Sequence, residues 1–566
     1  MKKYPAIQTT AILNMIQKES SSEYWRHRSE AEGLLSEIVD SGSALGPLCF
    51  VGAPSFTTVL LRGDVSYSRF RPGDRVDLRI QNSKSDKSAL LSENGIVKNL
   101  SYPSPGRIEV LVECQPFDLE GVNEVFLFQS SSALFGNILR KRIAEKASTE
   151  PAILGDGRYD LNDSGAKFRD LFEQLNPPQQ EALRYLMENN LSGAIQGPPG
   201  TGKTHLLKTV VELAVNSGMK VCLASFTNAA VDNLLSRIVG GGVKFNWWRV
   251  GELAKVRRDL YSENVKVNDF ISTIFNDEIN EAQLVGSTLH KLAFNKAVPK
   301  FDLLIVDEAG QVPIYFWPYI ERIAKRVVLV GDQHQLPPVL VAEHNDLPCD
   351  DVFSFVVDSD SPMLEIQYRM RREIQAWSSE KFYRGKLTPN LSNSDRDFFR
   401  GNPALYTDGF VVPKRFDGDG SGNSSKKEAN YISDKVDRLI KNGVDLSKIG
   451  VICPYRAQAG LVNSNLQTRF GVELASQVLI DTVERFQGQE REAIFLSFGS
   501  SNRNPNDLKF LANAKRLNVS VTRAKSRFYC LYDTQLWENS HNRVSADLNE
   551  FLRWVNFGKT TIRRAA

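Results

Sequence analysis

Cysteine is scarce and scattered in this chain. Its 566 residues include six cysteines (Cys49, Cys114, Cys222, Cys349, Cys453 and Cys530). None forms a CxxC pair, which argues against a disulfide framework, a zinc finger or an iron–sulfur cluster. Long apolar runs are missing too: none approaches the roughly 18 residues that a membrane-crossing helix needs. Gln8, Thr9, Thr10 and Asn14 interrupt the opening stretch where a signal-peptide core would lie. The expectation is a soluble, cytoplasmic protein with no membrane partner. An excess of charge of one sign is also lacking, because 70 Lys+Arg against 67 Asp+Glu leave a net charge of only +3. Any contact with a polyanion must therefore come from a local basic patch. Low complexity is confined to residues 417–427 (DGDGSGNSSKK), expected to be a mobile loop, and no internal repeat is visible.

What is present is ordinary globular composition, 42% hydrophobic and 24% charged, over a length suited to about three or four domains. Residues 1–45 read as helical. In 46–115, short strands around Phe50, Thr57 to Leu61, Val76 to Ile80, Ile96-Val97 and Ile108 to Val112 alternate with Gly, Pro, Asn and Ser turns, which predicts a small β-barrel. Residues 116–170 are expected to form stalk helices, including a basic one with Arg140, Lys141 and Arg142. From 171 onward, apolar strands alternate with helices, the pattern of βαβ units on a parallel sheet. The strands are too numerous for one nucleotide-binding sheet, so 171–360 and 361–566 are expected to form two. The expected fold class is α/β.

Gly197-Pro198-Pro199-Gly200-Thr201-Gly202-Lys203-Thr204 matches G-x-x-x-x-G-K-[ST], after a short apolar run and before an amphipathic helix. Such a loop wraps phosphates with backbone N–H groups, Lys203 reaches the β/γ-phosphates, and Thr204 holds magnesium. FDLLIVDEAGQ (301–311) is a buried strand ending in Asp307-Glu308. An acidic pair there lies where ligands bind in parallel sheets; Asp307 would hold the metal and Glu308 would activate the attacking water. VVLVGDQHQLPPV (327–339) places Gln335 after another buried strand. Gln367-Tyr368-Arg369-Met370 and LNVSVTRAK (517–525) offer Arg369 and Arg523, which could stabilise charge on a transferring phosphoryl group.

In this order GPPGTGKT, DEAGQ, GDQHQLPP, QYRM, TVERFQGQE (482–490) and LNVSVTRAK resemble the motif ladder of the superfamily 1 helicases, most closely the Upf-like branch that includes the nonsense-mediated-decay helicase. The resemblance runs from Leu175 to Lys525. It implies two RecA-like P-loop domains, with the barrel and helical stalk as an accessory domain on the nucleic acid. It also implies ATP and Mg2+ as cofactors and single-stranded DNA or RNA as partner, and leaves room for a recruiting protein. Gln179 then resembles the glutamine that reads adenine, Tyr368 the ring that stacks on it, and Gln335 the γ-phosphate sensor. Arg369 and Arg523 resemble arginine fingers, and Glu490 the acidic residue that closes the nucleotide site from the second domain. Thr227, Asn228, Thr288, Pro454, Tyr455 and Thr482 fall in segments similar to those that contact the strand, where hydroxyls and amides suit phosphate contacts. Arg371-Arg372 replace the usual His-Pro after QYRM, and Glu484 replaces the usual Asp before FQG. The resemblance implies 5′-to-3′ translocation. Two rival readings remain: a nucleic-acid-stimulated ATPase that remodels complexes without unwinding, and a regulatory ATP-binding module. The latter is disfavoured because Lys203, Asp307, Glu308, Arg369 and Arg523 are all present.

Overall fold

A computed structural model describes residues 9–558 without 41–42, 56, 66–67, 82–84, 118–121, 123, 131–138, 146–164, 241–244, 252–254, 261–264, 268–278, 280, 296–297, 345–346, 391, 393–396, 403–407, 419–422, 500–504 and 542–545. Much of the expected stalk, Lys146 included, and the centre of the 417–427 loop thus lie outside the described residues. The chain divides into two compact units, Met1–Trp25 with Ser131–Tyr368, and Arg26–Ser130 with Arg369–Ala566.

The first unit is built on a seven-stranded parallel sheet. Its order is Val265–Val267, Trp247–Gly251, Leu284–Thr288, Val221–Ser225, Phe301–Val306, Ala324–Gly331 and Gly193–Gln196. Both faces are covered, so the central strands are apolar at successive positions rather than alternate ones. Leu304 and Val306 point into one core and Leu303 and Ile305 into the other; Cys222 and Ala224 part from Val221 and Leu223 in the same way. The helices Pro177–Glu188, Lys203–Asn216 and Asn228–Val239 supply the second of these cores. The first takes Ile12, Met15 and Ile16 from the N-terminal helix Thr9–Glu32, together with Leu139 and Ile143. The basic helix therefore buries one side, while Arg142 pairs with Glu145 at 2.5 Å and Lys141 is exposed.

The second unit holds a closed six-stranded antiparallel barrel and a five-stranded parallel sheet. The barrel runs Ala44–Ser55, Thr58–Gly63, Arg107–Glu113, Ser88–Ser104, Arg75–Gln81 and Glu124–Gln129 around its circumference. The last strand, which pairs with both Ala44–Ser55 and Arg75–Gln81, lies beyond residue 115, where the sequence reading ended the barrel. The parallel sheet runs Val411–Phe416, Ala524–Asp533, Arg491–Ser497, Ile449–Ile452 and Leu479–Asp481. Barrel and sheet are joined by polar contacts: Arg71 to Asp481 at 3.1 Å, Gly106 N–H to Gln467 Oε1 at 3.2 Å, and Arg485 to the Arg69 carbonyl at 2.5 Å. Two parallel α/β sheets of this kind fit two RecA-like domains. Among the described residues no helix is long and apolar enough to cross a membrane.

Candidate functional site

In a parallel α/β sheet the loops at the carboxyl ends of the strands collect side chains from distant parts of the chain. In the first unit, register brings these ends together: Gly331 lies opposite Gln196, Leu329 opposite Val306, Val306 opposite Ala224, and Ser225 opposite Thr288. The phosphate-binding loop, Asp307-Glu308, Gln335, Thr227-Asn228 and Thr288 all leave the sheet along this one edge.

The loop after Gln196 is shaped by left-handed glycines, with φ of 79° at Gly200 and 77° at Gly202. A Cβ on Gly202 would lie 2.6 Å from Gln179 Nε2, and one on Gly197 would lie 2.3 Å from Lys203 Cδ. A side chain at Gly202 would also be strained by the left-handed backbone, and one at Gly197 would displace the Lys203 side chain. Lys203 opens the helix Lys203–Asn216 and folds back, its Nζ donating to the Gly197 carbonyl at 2.8 Å. Thr201 is buried and donates to the Pro198 carbonyl at 2.8 Å. Thr204 follows in the first helical turn. The loop N–H groups, the helix N-terminus and the ammonium suit the charge of a polyphosphate.

Gln179 is buried at the third position of the helix Pro177–Glu188. Its backbone N–H donates to Asn176 Oδ1 at 2.9 Å and its Oε1 accepts from Asn176 N–H at 3.2 Å, a reciprocal capping box. Its Nε2 donates to the carbonyls of Thr201 and Gly202 at 3.2 and 3.3 Å. In this structure the amide is spent on the chain itself, tying the helix to the phosphate-binding loop. Asn176 also donates to the Tyr368 hydroxyl at 2.8 Å, and the Tyr368 N–H donates to the Gly200 carbonyl at 2.8 Å. Tyr368, 37% exposed, thus presents a ring beside the loop. Asn176 was not singled out from the sequence, although Asn-x-x-Gln ahead of a helix is the capping-box spacing.

Asp307 is buried at the end of its strand, and its Oδ1 accepts the Glu308 N–H at 2.9 Å. Glu308 sits at φ 53°, ψ 41°, a left-handed backbone that non-glycine residues adopt at a cost and often at functional positions. Burial, reinforced by the Glu308 carboxylate, pushes the Asp307 pKa well above the usual carboxylate range, while Lys203 pulls it back. A carboxyl raised in this way, with a second carboxylate beside it, fits a divalent cation, whose charge would favour its ionised form. Thr204 and Asp307 could hold magnesium, which would supply charge neutralisation on the phosphates.

Gln335 is buried and donates through Nε2 to Asp332 Oδ2 at 3.0 Å. Asp332 Oδ1 also accepts from the His334 N–H at 3.2 Å. Asp332 therefore orients Gln335, a role that only the folded turn reveals.

Among the candidate strand-contacting residues, Thr227 and Thr288 are helix N-caps that accept from Ala230 N–H at 3.3 Å and Lys291 N–H at 3.2 Å. A hydroxyl that accepts in this way keeps its proton to donate. Asn228 Oδ1 accepts from the fully buried Arg249 at 2.9 Å, and Arg249 pairs with Asp232 at 2.6 Å. Arginine has no acceptor, so the oxygen of the Asn228 amide must face it. In the second unit the same arrangement recurs, since Ile452 lies opposite Asp481. Pro454-Tyr455 and Thr482 therefore leave the carboxyl ends of neighbouring strands.

Arg369, Glu490 and Arg523 collect at the other edge of that sheet, where Arg491–Ser497 and Ala524–Asp533 begin. Glu490 pairs with Arg369 at 2.5 Å and with Lys525 at 2.7 Å. Burial raises its pKa, but Arg369 and Lys525 outweigh burial and hold it at about 2. Arg369 also donates to the Thr522 carbonyl at 3.0 Å. Arg523, 2% exposed, donates to the carbonyls of Val519 and Gln489 and to the Thr522 hydroxyl. Of the two departures from the usual pattern, Arg371 lies over the Phe410 ring at 3.6 Å, and Glu484 pairs with Arg516 at 2.9 Å.

Residues 174–345 and 352–535 each match a family described as an AAA domain. The first match covers the phosphate-binding loop and the acidic pair, and the second covers the arginine cluster. The two matches follow one another in the order of the motifs that resemble those of the superfamily 1 helicases. Relatives include the mouse DNA replication ATP-dependent helicase/nuclease DNA2, 31% identical over 66% of this chain and 38% of that protein. The fission yeast DNA polymerase alpha-associated DNA helicase A is 25% identical over 75% of this chain and 71% of that one. The chain spans less than half the length of the DNA2 relatives it matches, 37% in the human protein. Among solved structures, an arterivirus nonstructural protein 10 helicase aligns over 88% of this chain and 80% of its own, with a TM-score of 0.41 and 13% identity. In this chain the phosphate-binding loop and the acidic pair lie in the first unit, and the cluster of Arg369, Glu490 and Arg523 lies in the second.

Proposed function

We propose that this chain is an ATP-driven translocase that separates or travels along strands of nucleic acid, in the Upf-like branch and in the 5′-to-3′ sense. The observation that carries the reading is the single edge of the first sheet. There Lys203, Asp307, Glu308 and Gln335 leave the same strand ends as Thr227, Asn228 and Thr288, which supports phosphoryl chemistry and strand contact on one set of loops. In the proposed cycle, Lys203 and the loop N–H groups hold the phosphates and Glu308 takes a proton from the attacking water. Gln335 senses the γ-phosphate, and Arg369 and Arg523 stabilise charge on the phosphoryl oxygens. The helicase activity named for the relatives agrees with this reading.

The test is ATP hydrolysis with and without matched single-stranded DNA and RNA oligonucleotides at fixed salt, set beside strand separation. Stimulation by either nucleic acid is expected; hydrolysis that ignores both would overturn the reading. Binding is expected to be insensitive to sequence and to weaken as salt rises. Charge reversal at Arg140 and Lys141 should weaken it and flatten the salt slope by about 0.7 for each phosphate that is no longer neutralised. Wild-type affinity and slope in that variant would place the strand away from this helix.

A further inference from the structure

The N-terminal helix reaches the segment that carries Gln335. Ile12, Met15 and Ile16 bury one face of Thr9–Glu32 in the core of the first unit, and Glu19 lies on the same face, three and four positions further on. Its carboxylate accepts from Val341 N–H at 2.9 Å, from Ala342 N–H at 2.8 Å and from His344 Nε2 at 2.6 Å. The His344 side chain is only 3% exposed and that of Glu19 15%. Two consecutive backbone donors and a buried ring converging on one carboxylate form a clamp with several charge-assisted bonds.

Only Leu336 to Leu340 separate this clamp from Gln335. Leu336 is buried and Leu340 packs on the same core. Pro337 and Pro338 between them have fixed φ and little freedom to absorb a displacement. Gln335 itself is held from the other side by Asp332. The segment is thus pinned at both ends, by a residue of the sheet edge and by a residue of the N-terminal helix.

We propose that Glu19 is a positioning residue for Gln335: it fixes the segment that leaves the γ-phosphate sensor and makes ATP turnover depend on the N-terminal helix. The inference rests on the ATPase reading above and extends it to a part of the chain with no motif. The test compares wild type, Glu19→Ala, Glu19→Gln, Gln335→Ala and the Glu19→Ala/Gln335→Ala double variant, all in the full chain. Turnover, nucleotide affinity and amide exchange are measured for each. Glu19→Ala is expected to lower kcat about tenfold with ATP affinity kept within about twofold, the mark of a misplaced catalytic group. Glu19→Gln keeps one accepting oxygen and the side-chain volume, so it should fold as wild type and show a smaller loss. If Glu19 acts through Gln335, the double variant loses no more than Gln335→Ala alone. Losses that multiply, or wild-type kcat while the Val341 and Ala342 amides exchange freely, would overturn the proposal. A wild-type chain without turnover would defeat the ATPase reading separately. The clamp is then judged by exchange alone: an ATP analogue should slow exchange at Gln335 in wild type and fail to do so in Glu19→Ala.

Discussion

Glu308→Gln is expected to bind ATP and magnesium but to lose hydrolysis by about 10²- to 10⁴-fold, the usual contribution of a positioned general base. The substitution keeps the shape of the side chain and the left-handed backbone at φ 53°, and Asp307 Oδ1 still accepts the N–H of residue 308. What disappears is a proton acceptor and one negative charge. Removing the charge also acts on the neighbouring carboxyl. Glu308 raises the pKa of Asp307, so its neutralisation lowers that pKa. Asp307 in the variant stays ionised to lower pH, and magnesium-dependent ATP binding should persist further into the acid range than in wild type. Rapid-quench hydrolysis beside nucleotide binding as a function of pH measures both effects. Hydrolysis within a few-fold of wild type would remove Glu308 from the role of base.

The chemistry of the first unit was legible because phosphate binding needs particular residues at short spacing. Gly197 to Thr204 and Asp307-Glu308 are contiguous in sequence, and the structure places both at carboxyl ends of parallel strands. Strand order was not legible, since it depends on pairing between distant segments. Val411–Phe416 and Trp247–Gly251 escaped the sequence reading, because a short strand flanked by charge or tryptophan carries no clear period. The barrel strand Glu124–Gln129 was missed as well, because the expected barrel stopped at residue 115, whereas closure needs one more strand. Gln179 is expected to read adenine, and the fold adds a second role, since its amide also joins a capping box and the loop carbonyls. Least visible was Glu19, whose partners lie 322 to 325 residues away. No local pattern can announce a contact of that separation.

The two edges of the second sheet lead to the sharpest expectation. Tyr455 and Thr482 leave the carboxyl ends of its strands, whereas Arg523 immediately precedes Ala524–Asp533 at the opposite edge. A change at Arg523 can therefore be separated from a change in strand binding. Its guanidinium is buried and held by the Val519 and Gln489 carbonyls, which fixes its direction. Preorganised charge of this kind is worth about 10³–10⁵ in the rate of phosphoryl transfer, and most of that gain appears in the transition state. Arg523→Ala is expected to keep near-normal ATP affinity and wild-type oligonucleotide affinity while losing nearly all nucleic-acid-stimulated hydrolysis. Arg523→Lys should recover little, because one ammonium cannot hold two carbonyls and also present the planar fork. Oligonucleotide binding serves as the control for folding: its loss together with turnover would mean that the substitution damaged the sheet. Turnover within a few-fold of wild type, with binding intact, would falsify the finger assignment and leave Arg369 as the arginine to test next.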